Sequence, residues 1–160
     1  MKKTAPYIHW RTVSFGDTDA AAIVYTPNFS IYCMEAAEIW FRDYIAFDWF
    51  RMNVERGQGT PVVHMDIDFA APLAGSDQLG VIVRVEKVGR STVTLLFEGI
   101  RQGRADSERV TSFTGRFVFC FTDKEAHGAI PIPAEQRALI EAYVAECESV
   151  AFTLDTVVDD

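Results

Sequence analysis

Thr26-Pro27-Asn28-Phe29-Ser30-Ile31-Tyr32-Cys33-Met34-Glu35-Ala36-Ala37-Glu38-Ile39-Trp40-Phe41-Arg42-Asp43-Tyr44-Ile45 is the stretch on which the fold turns. A threonine followed by proline is a helix-start signature, with Thr26 as N-cap and Pro27 at the first helical position. From Pro27 to about Ile45, Phe29, Ile31, Tyr32, Met34, Ala36, Ala37, Ile39, Trp40, Phe41 and Tyr44 occupy almost every side. Glu35, Glu38 and Arg42 fall at spacings of three and four and share one narrow polar stripe. A helix apolar nearly all round must be buried on most of its surface, so something wraps it.

The wrapping material lies on both sides. Tyr7 to Phe15, rich in aromatic and β-branched residues, reads as a first strand, and Gly16 to Tyr25 as a loop. A second helical stretch around Phe47 to Arg56 ends at Gly57 and Gly59. Four strand candidates follow: Thr60 to Ala71, Gln78 to Val88, Ser91 to Arg101, and Arg109 to Thr122. Leu79, Val81, Val83 and Val85 alternate with more polar positions, and Phe113, Phe117, Phe119 and Phe121 share one face. In Thr60 to Ala71, Val63, Met65, Ile67 and Phe69 read as the core-facing side. The breaks at Gly75-Ser76, Val88-Gly89-Arg90 and Gly103 to Ser107 are short, as antiparallel connections should be. Pro131 to Pro133 leads into a final amphipathic helix carrying Leu139, Ile140, Tyr143, Val144 and Cys147 on one stripe. Residues 1–150 therefore read as a single domain, and 151–160 as an acidic tail that frays. One sheet curled around one apolar helix is an α+β domain of the hot-dog type, although other α+β sheets fit the same order.

The 160 residues carry 15 basic and 23 acidic side chains, a net charge of -8, which argues against nucleic-acid binding for want of a basic stripe. Cys33, Cys120 and Cys147 are far apart and lack CxxC spacing, which suits reduced thiols in the cytoplasm. No apolar core of a signal peptide follows Met1-Lys2-Lys3, and no run of about 18 apolar residues suggests a membrane span.

Phe15-Gly16-Asp17-Thr18-Asp19-Ala20-Ala21-Ala22-Ile23-Val24-Tyr25-Thr26-Pro27-Asn28-Phe29 resembles the 4-hydroxybenzoyl-CoA thioesterase family of hot-dog enzymes. That family has an Asp-x-Asp, small residues, an aliphatic pair, an aromatic, and an Asn-Tyr/Phe opening a helix. The resemblance continues at Val54-Glu55-Arg56-Gly57, at Gly59-Thr60-Pro61-Val62-Val63, at Phe69-x-x-Pro72 and at Val88-Gly89-Arg90-Ser91. It spans roughly residues 8 to 122 in family order.

The resemblance implies an acyl-CoA thioesterase with an aromatic or short aliphatic acyl group. Its catalytic carboxylate is Asp19, and no cofactor is needed beyond the coenzyme A of the substrate. Thioester hydrolysis needs a nucleophile or general base at the carbonyl carbon and fixed donors for the oxyanion. Asp19 and the amides of the following helix start could supply both. On residue chemistry alone Asp17 and Asp19 are equally turn-forming aspartates; the resemblance assigns catalysis to Asp19 and loop-holding to Asp17. It also places Thr60 near the reacting centre from a facing subunit, although a strand start explains Thr60 as well. Arg90 and Ser91 match the turn that meets the phosphates of coenzyme A, where a solvated turn arginine is the plainer alternative. Tyr25, Thr26, Met34 and Glu35 complete the expected substrate surroundings, with Tyr32 and Trp40 nearby.

Two departures bear on the acyl group. Ala22 stands where the family commonly has glycine. Met34 stands where the branch acting on 4-hydroxybenzoyl groups has a carboxylate, so a para-hydroxyl loses its acceptor unless Glu35 takes that role. The family further implies a homodimer or a tetramer. The competing readings are a non-catalytic acyl-CoA or protein-binding hot-dog domain, a hydroxyacyl dehydratase, and a divalent metal on His64, Asp66 and Asp68. Those three alternate along one strand face, which a half-exposed sheet would show anyway.

Overall fold

The computed structural model describes residues 4–102 and 109–150. The expected Gly103 to Ser107 break and the 151–160 tail lie outside the described residues. In chain order the elements are β1 (Tyr7–Thr12), a 3-10 turn (Phe15–Asp17), α1 (Asn28–Tyr44), α2 (Trp49–Arg56), β2 (Gln58–Gly59) and β3 (Val62–Phe69). They continue with β4 (Gln78–Val88), β5 (Thr92–Gln102), β6 (Arg109–Cys120), β7 (Thr122–Asp123), β8 (Gly128–Ala129) and α3 (Ala134–Ser149).

Five strands form one antiparallel sheet in the order β1-β4-β5-β6-β3. It curls around α1, as the all-round apolar helix required. Phe29, Tyr32, Cys33, Ala36, Ala37, Trp40 and Phe41 of α1 are buried, whereas Glu38 and Arg42 of the polar stripe remain exposed. The sheet answers with Leu79, Val81, Val83, Phe113, Phe117 and Phe119, all fully buried, and Phe121 just past β6 joins them. Each such large side chain withdrawn from water contributes about 1.5–3 kcal/mol, so this helix–sheet contact dominates the stability. The rings meet edge-on: Phe41 lies 5.0 Å from Phe119, and Phe29 lies 5.2 Å from Phe113. Phe113 reaches the helix because it lies across Gly99, where a Cβ would sit 2.1 Å from its ring. A side chain at 99 would push Phe113, and with it the start of α1, out of place.

Three expectations shift. The first strand ends at Thr12, short of Phe15, because the chain turns into the 3-10 segment and leaves Phe15 exposed. Thr26 is not a side-chain cap: α1 begins at Asn28, and the residue before it, Pro27, already has helical angles. On β3, Val63, Met65 and Phe69 are more than half exposed, and Ile67 and Val62 pack against the core. Met65, Ile67 and Phe69 do lie opposite core-facing Phe117, Gly115 and Phe113, but an irregularity between Val62 and His64 puts Val62, opposite Phe119, on that face in place of Val63. Their exposure arises because β3 is the edge of the sheet. The small sheet β2-β7-β8 carried no sequence signal, since two-residue strands have no periodicity.

Helix α3 buries Ile140 and Tyr143 as expected. The Tyr143 hydroxyl donates to the Val83 carbonyl at 2.6 Å and accepts from the Tyr7 amide at 2.8 Å, pinning β1 and β4 together. Among the described residues no helix is long and apolar enough to cross a membrane.

Candidate active site

The loop before α1 is built around Asp17. Its carboxylate accepts from the Ser14 amide at 3.0 Å and from Arg11 at 2.9 Å. Its carbonyl accepts from the Tyr25 amide at 2.9 Å and from Asn28 Nδ2 at 2.8 Å. Asp17 therefore clamps both ends of the loop. Asp19 hangs from the clamp, with its amide bonded to the Ile23 carbonyl and its Oδ1 accepting from the Ala21 amide at 2.8 Å. The residue is exposed, and among the described residues its Oδ2 has no hydrogen-bond partner. One carboxylate oxygen is thus held and the other presented. Ala22 adopts a left-handed φ of 62°. That conformation costs a non-glycine residue on the order of 1–2 kcal/mol, which explains why glycine is common there in the resembling family.

The helix start differs from expectation in a way that matters. The amides of Asn28, Phe29 and Ser30 are already bonded to the carbonyls of Tyr25, Thr26 and Pro27. Pro27 has no N–H to offer. The free donor at this end of α1 is the amide of Thr26, which makes no hydrogen bond among the described residues. With the dipole of α1 behind it, this N–H can face a developing oxyanion.

Glu35 is engaged by residues of β1. Arg11 donates to it at 2.5 Å while stacking 4.1 Å above the Tyr32 ring, and His9 lies 3.7 Å from the same carboxylate. Tyr32 and Trp40, expected near the substrate, belong to the core. Burial pushes the His9 imidazole below its ordinary value, against the upward pull of Glu35. A histidine held neutral in the fold binds fewer protons than in the unfolded chain. Stability should therefore fall as pH drops below about 6.5. Thermal melts from pH 8 to 5 should show this loss, and His9→Gln should flatten it. A variant with an unaltered slope would contradict the assignment.

Met34 and Thr60 come together in a cleft of about 430 Å³, with Trp49, Asn53, Val62 and Lys124 among its other walls. Thr60 is 7% exposed, and its hydroxyl has no hydrogen-bond partner. Trp49, Asn53 and Lys124 went unrecognised in the sequence. Trp49 was visible only as part of a short helix, and Lys124 reaches the cleft through the β7–β8 hairpin, which no pattern announced.

Arg90 and Ser91 form the β4–β5 turn. Arg137 of α3 donates to the Gly89 carbonyl at 2.6 Å, and the Arg90 and Ser91 carbonyls accept from Ile132 and Phe121 at 2.8 Å each. The turn is therefore rigid, with the Arg90 side chain in solvent.

These residues fall into two groups at opposite ends of the sheet. Val24 and Ile23 of the Asp19 loop bond to Leu73 and bridge to Ala74, just before β4 begins, and Phe69 at the end of β3 packs 4.9 Å from Phe29. Thr60 precedes the other end of β3, and Ser91 follows the other end of β4. Val62 to Phe69 alone covers roughly 23 Å at ~3.3 Å per residue. Asp19, Tyr25 and Thr26 therefore stand apart from Thr60, Arg90 and Ser91 within one chain, while Met34, about two turns into α1, lines the cleft with Thr60. His64 and Asp66 pair at 3.1 Å on the outer face, and no cluster of three or more metal-ligating side chains occurs among the described residues.

A curled sheet around a buried helix is the hot-dog architecture, and a presented carboxylate at the helix start suits a thioester hydrolase. Residues 13–140 match the thioesterase-like superfamily. The 1,4-dihydroxy-2-naphthoyl-CoA hydrolase of Gloeothece citriformis is 32% identical over 108 residues, 65% of this chain and 74% of its own. A gentisyl-coenzyme A thioesterase of known structure is 25% identical with a TM-score of 0.71, covering 84% of this chain and 99% of that one. The 4-hydroxybenzoyl CoA thioesterase of Pseudomonas sp. strain CBS-3 shares the fold, with a TM-score of 0.78 at 22% identity, covering 85% and 99%. The chain belongs to the thioesterase-like superfamily, and its activity is the hydrolysis of acyl-CoA thioesters.

Proposed function

We propose that the chain hydrolyses aromatic acyl-CoA thioesters as a homodimer, each site combining the Asp19 loop of one copy with the cleft of the other. The observation that carries this is the separation of the two groups along β3, together with the exposed apolar residues of that edge. An unprotected edge strand invites a second strand, and a two-fold axis gives each copy the same contact. Antiparallel self-pairing about the middle of β3 sets the Thr60 end of one copy beside the Phe69 end of the other. Thr60, Met34 and the Arg90 turn then approach the Asp19 loop from the facing subunit.

In this reading the thioester oxygen accepts from the Thr26 amide. Asp19 Oδ2 either attacks the carbonyl carbon, expelling the thiolate of coenzyme A, or removes a proton from the water that does so. Tyr25, 56% exposed beside the loop, covers the reacting group. Arg90 and Ser91 on their rigid turn meet the phosphates of coenzyme A. An aromatic acyl group suits the walls offered by Met34, Trp49 and Val62, and the names of the similar hydrolases carry aromatic acyl groups.

Mixing two inactive variants tests the shared site. Asp19→Asn removes the carboxylate, and Val62→Trp fills the cleft. After unfolding and refolding together at equal amounts, about half the dimers are mixed, and each holds one intact site, restoring roughly a quarter of the activity on benzoyl-CoA. No recovery from a mixture proven to contain mixed dimers would place both groups in one chain.

A further inference from the structure

The cleft differs from an ordinary apolar acyl pocket in the polarity of its rim. Lys124 Nζ donates to Asn53 Oδ1 at 3.1 Å. That bond occupies the amide oxygen and turns Asn53 Nδ2 toward Gly59, where a Cβ would lie 3.6 Å from it. Nδ2 has no hydrogen-bond partner among the described residues, and Gly59 itself lines the cleft. The pair therefore presents mainly donors, an exposed ammonium and an amide N–H, with one lone pair of Asn53 Oδ1 already taken by the ammonium. No carboxylate is among the lining residues. Met34, which lacks any acceptor, forms the adjoining wall.

We propose that Lys124 and Asn53 are specificity-determining residues that read an oxygen on the far side of the acyl ring as a hydrogen-bond acceptor. This rests on the shared-site reading above, in which the thioester end lies at the Asp19 loop and the ring projects into the cleft. A carboxylate in such a pocket requires a ring hydroxyl to donate. Here the requirement is reversed, because an ammonium and an amide N–H can only donate. Ring oxygens without a proton satisfy the site as well as hydroxyls do, and an ionised phenol satisfies it best. The flat walls of Trp49, Pro61 and Val62 favour a ring over a flexible chain.

The sequence alone suggested that a hydroxyl gains nothing beside Met34. In this proposal the partner of a ring oxygen arrives instead from a hairpin and from α2, not from α1.

Three substrates separate the possibilities: benzoyl-CoA, 4-hydroxybenzoyl-CoA and 4-methoxybenzoyl-CoA, the last able to accept but not to donate. The expected result is that both oxygenated substrates exceed benzoyl-CoA in kcat/KM by about tenfold to hundredfold, the scale of hydrogen bonds to a charged group. In Lys124→Met both ratios to benzoyl-CoA should collapse toward one, whatever the absolute rates, and Lys124→Arg should restore them in part. Three equal substrates in the wild type, or a preference for hydroxyl with methoxy rejected, would overturn the proposal while leaving the hydrolase reading intact. A preference for glutaryl-CoA over all three would show that the donors serve an aliphatic carboxylate and would also overturn it. Absence of hydrolysis of every acyl-CoA would sink the underlying site reading as well.

Discussion

Replacing Asp19 with Asn is expected to lower acyl-CoA hydrolysis by about two to four orders of magnitude, the scale of losing an acid–base participant. The melting temperature should stay within about 2 °C, because Asp19 is exposed and its stability role is local. Asparagine keeps an oxygen for the Ala21 amide, so the loop retains its shape and loses only the charge and basicity of the free Oδ2. Free thiol release from benzoyl-CoA is the measurement. A variant within threefold of wild type would remove Asp19 from the reaction. Single turnover in oxygen-18 water distinguishes the two routes, since label enters the Asp19 carboxylate only if a mixed anhydride forms and is hydrolysed at the enzyme carbonyl.

A comparable loss should follow from a residue far from the chemistry. Met65 lies near the middle of β3, half exposed on the open edge. In a two-fold pairing of β3 with its copy, Met65→Asp brings two new carboxylates close to the axis, where like charges repel. Sedimentation should show the mass of one chain, with the circular dichroism of the folded protein unchanged. Hydrolysis should fall by about a hundredfold or more, because the carboxylate and the cleft no longer share a site. A monomer that keeps full activity would refute the shared arrangement, whatever the fate of Asp19→Asn.

The sequence was readable where periodicity reports burial. The all-round apolar helix demanded a wrapping sheet, and the alternation in Leu79 to Val85 and the Phe113 to Phe121 face supplied its inner surface. It was unreadable where function depends on which partner a polar group chooses. Nothing in the spacing of Arg11, Asp17 and Glu35 indicates that one guanidinium holds both carboxylates. Nothing near Thr26 indicates that its amide stays free while the next three are taken. Met65 and Phe69 carry the pattern of core residues and lie on the correct face, yet a strand pattern holds no information about whether its outer edge is paired. Lys124 and Asn53, 71 positions apart, meet only through tertiary folding.

The Tyr143 hydroxyl sets a timetable for the chain. It joins the amide of Tyr7 across 136 positions, and β1 carries Arg11, the residue that grips Asp17 and through it the Asp19 loop. Synthesis proceeds from the N-terminus, so β1 and its loop emerge first. They pair with β4 and its preceding loop once those have emerged, but gain the Tyr143 tie only after α3 has left the ribosome. Ribosome-bound chains halted before residue 143 should therefore hold a sheet whose β1 lacks its tie to α3 and exchanges its amide protons faster than in the finished chain. The last helix to be made thus closes the contact that joins the first strand to the rest of the sheet.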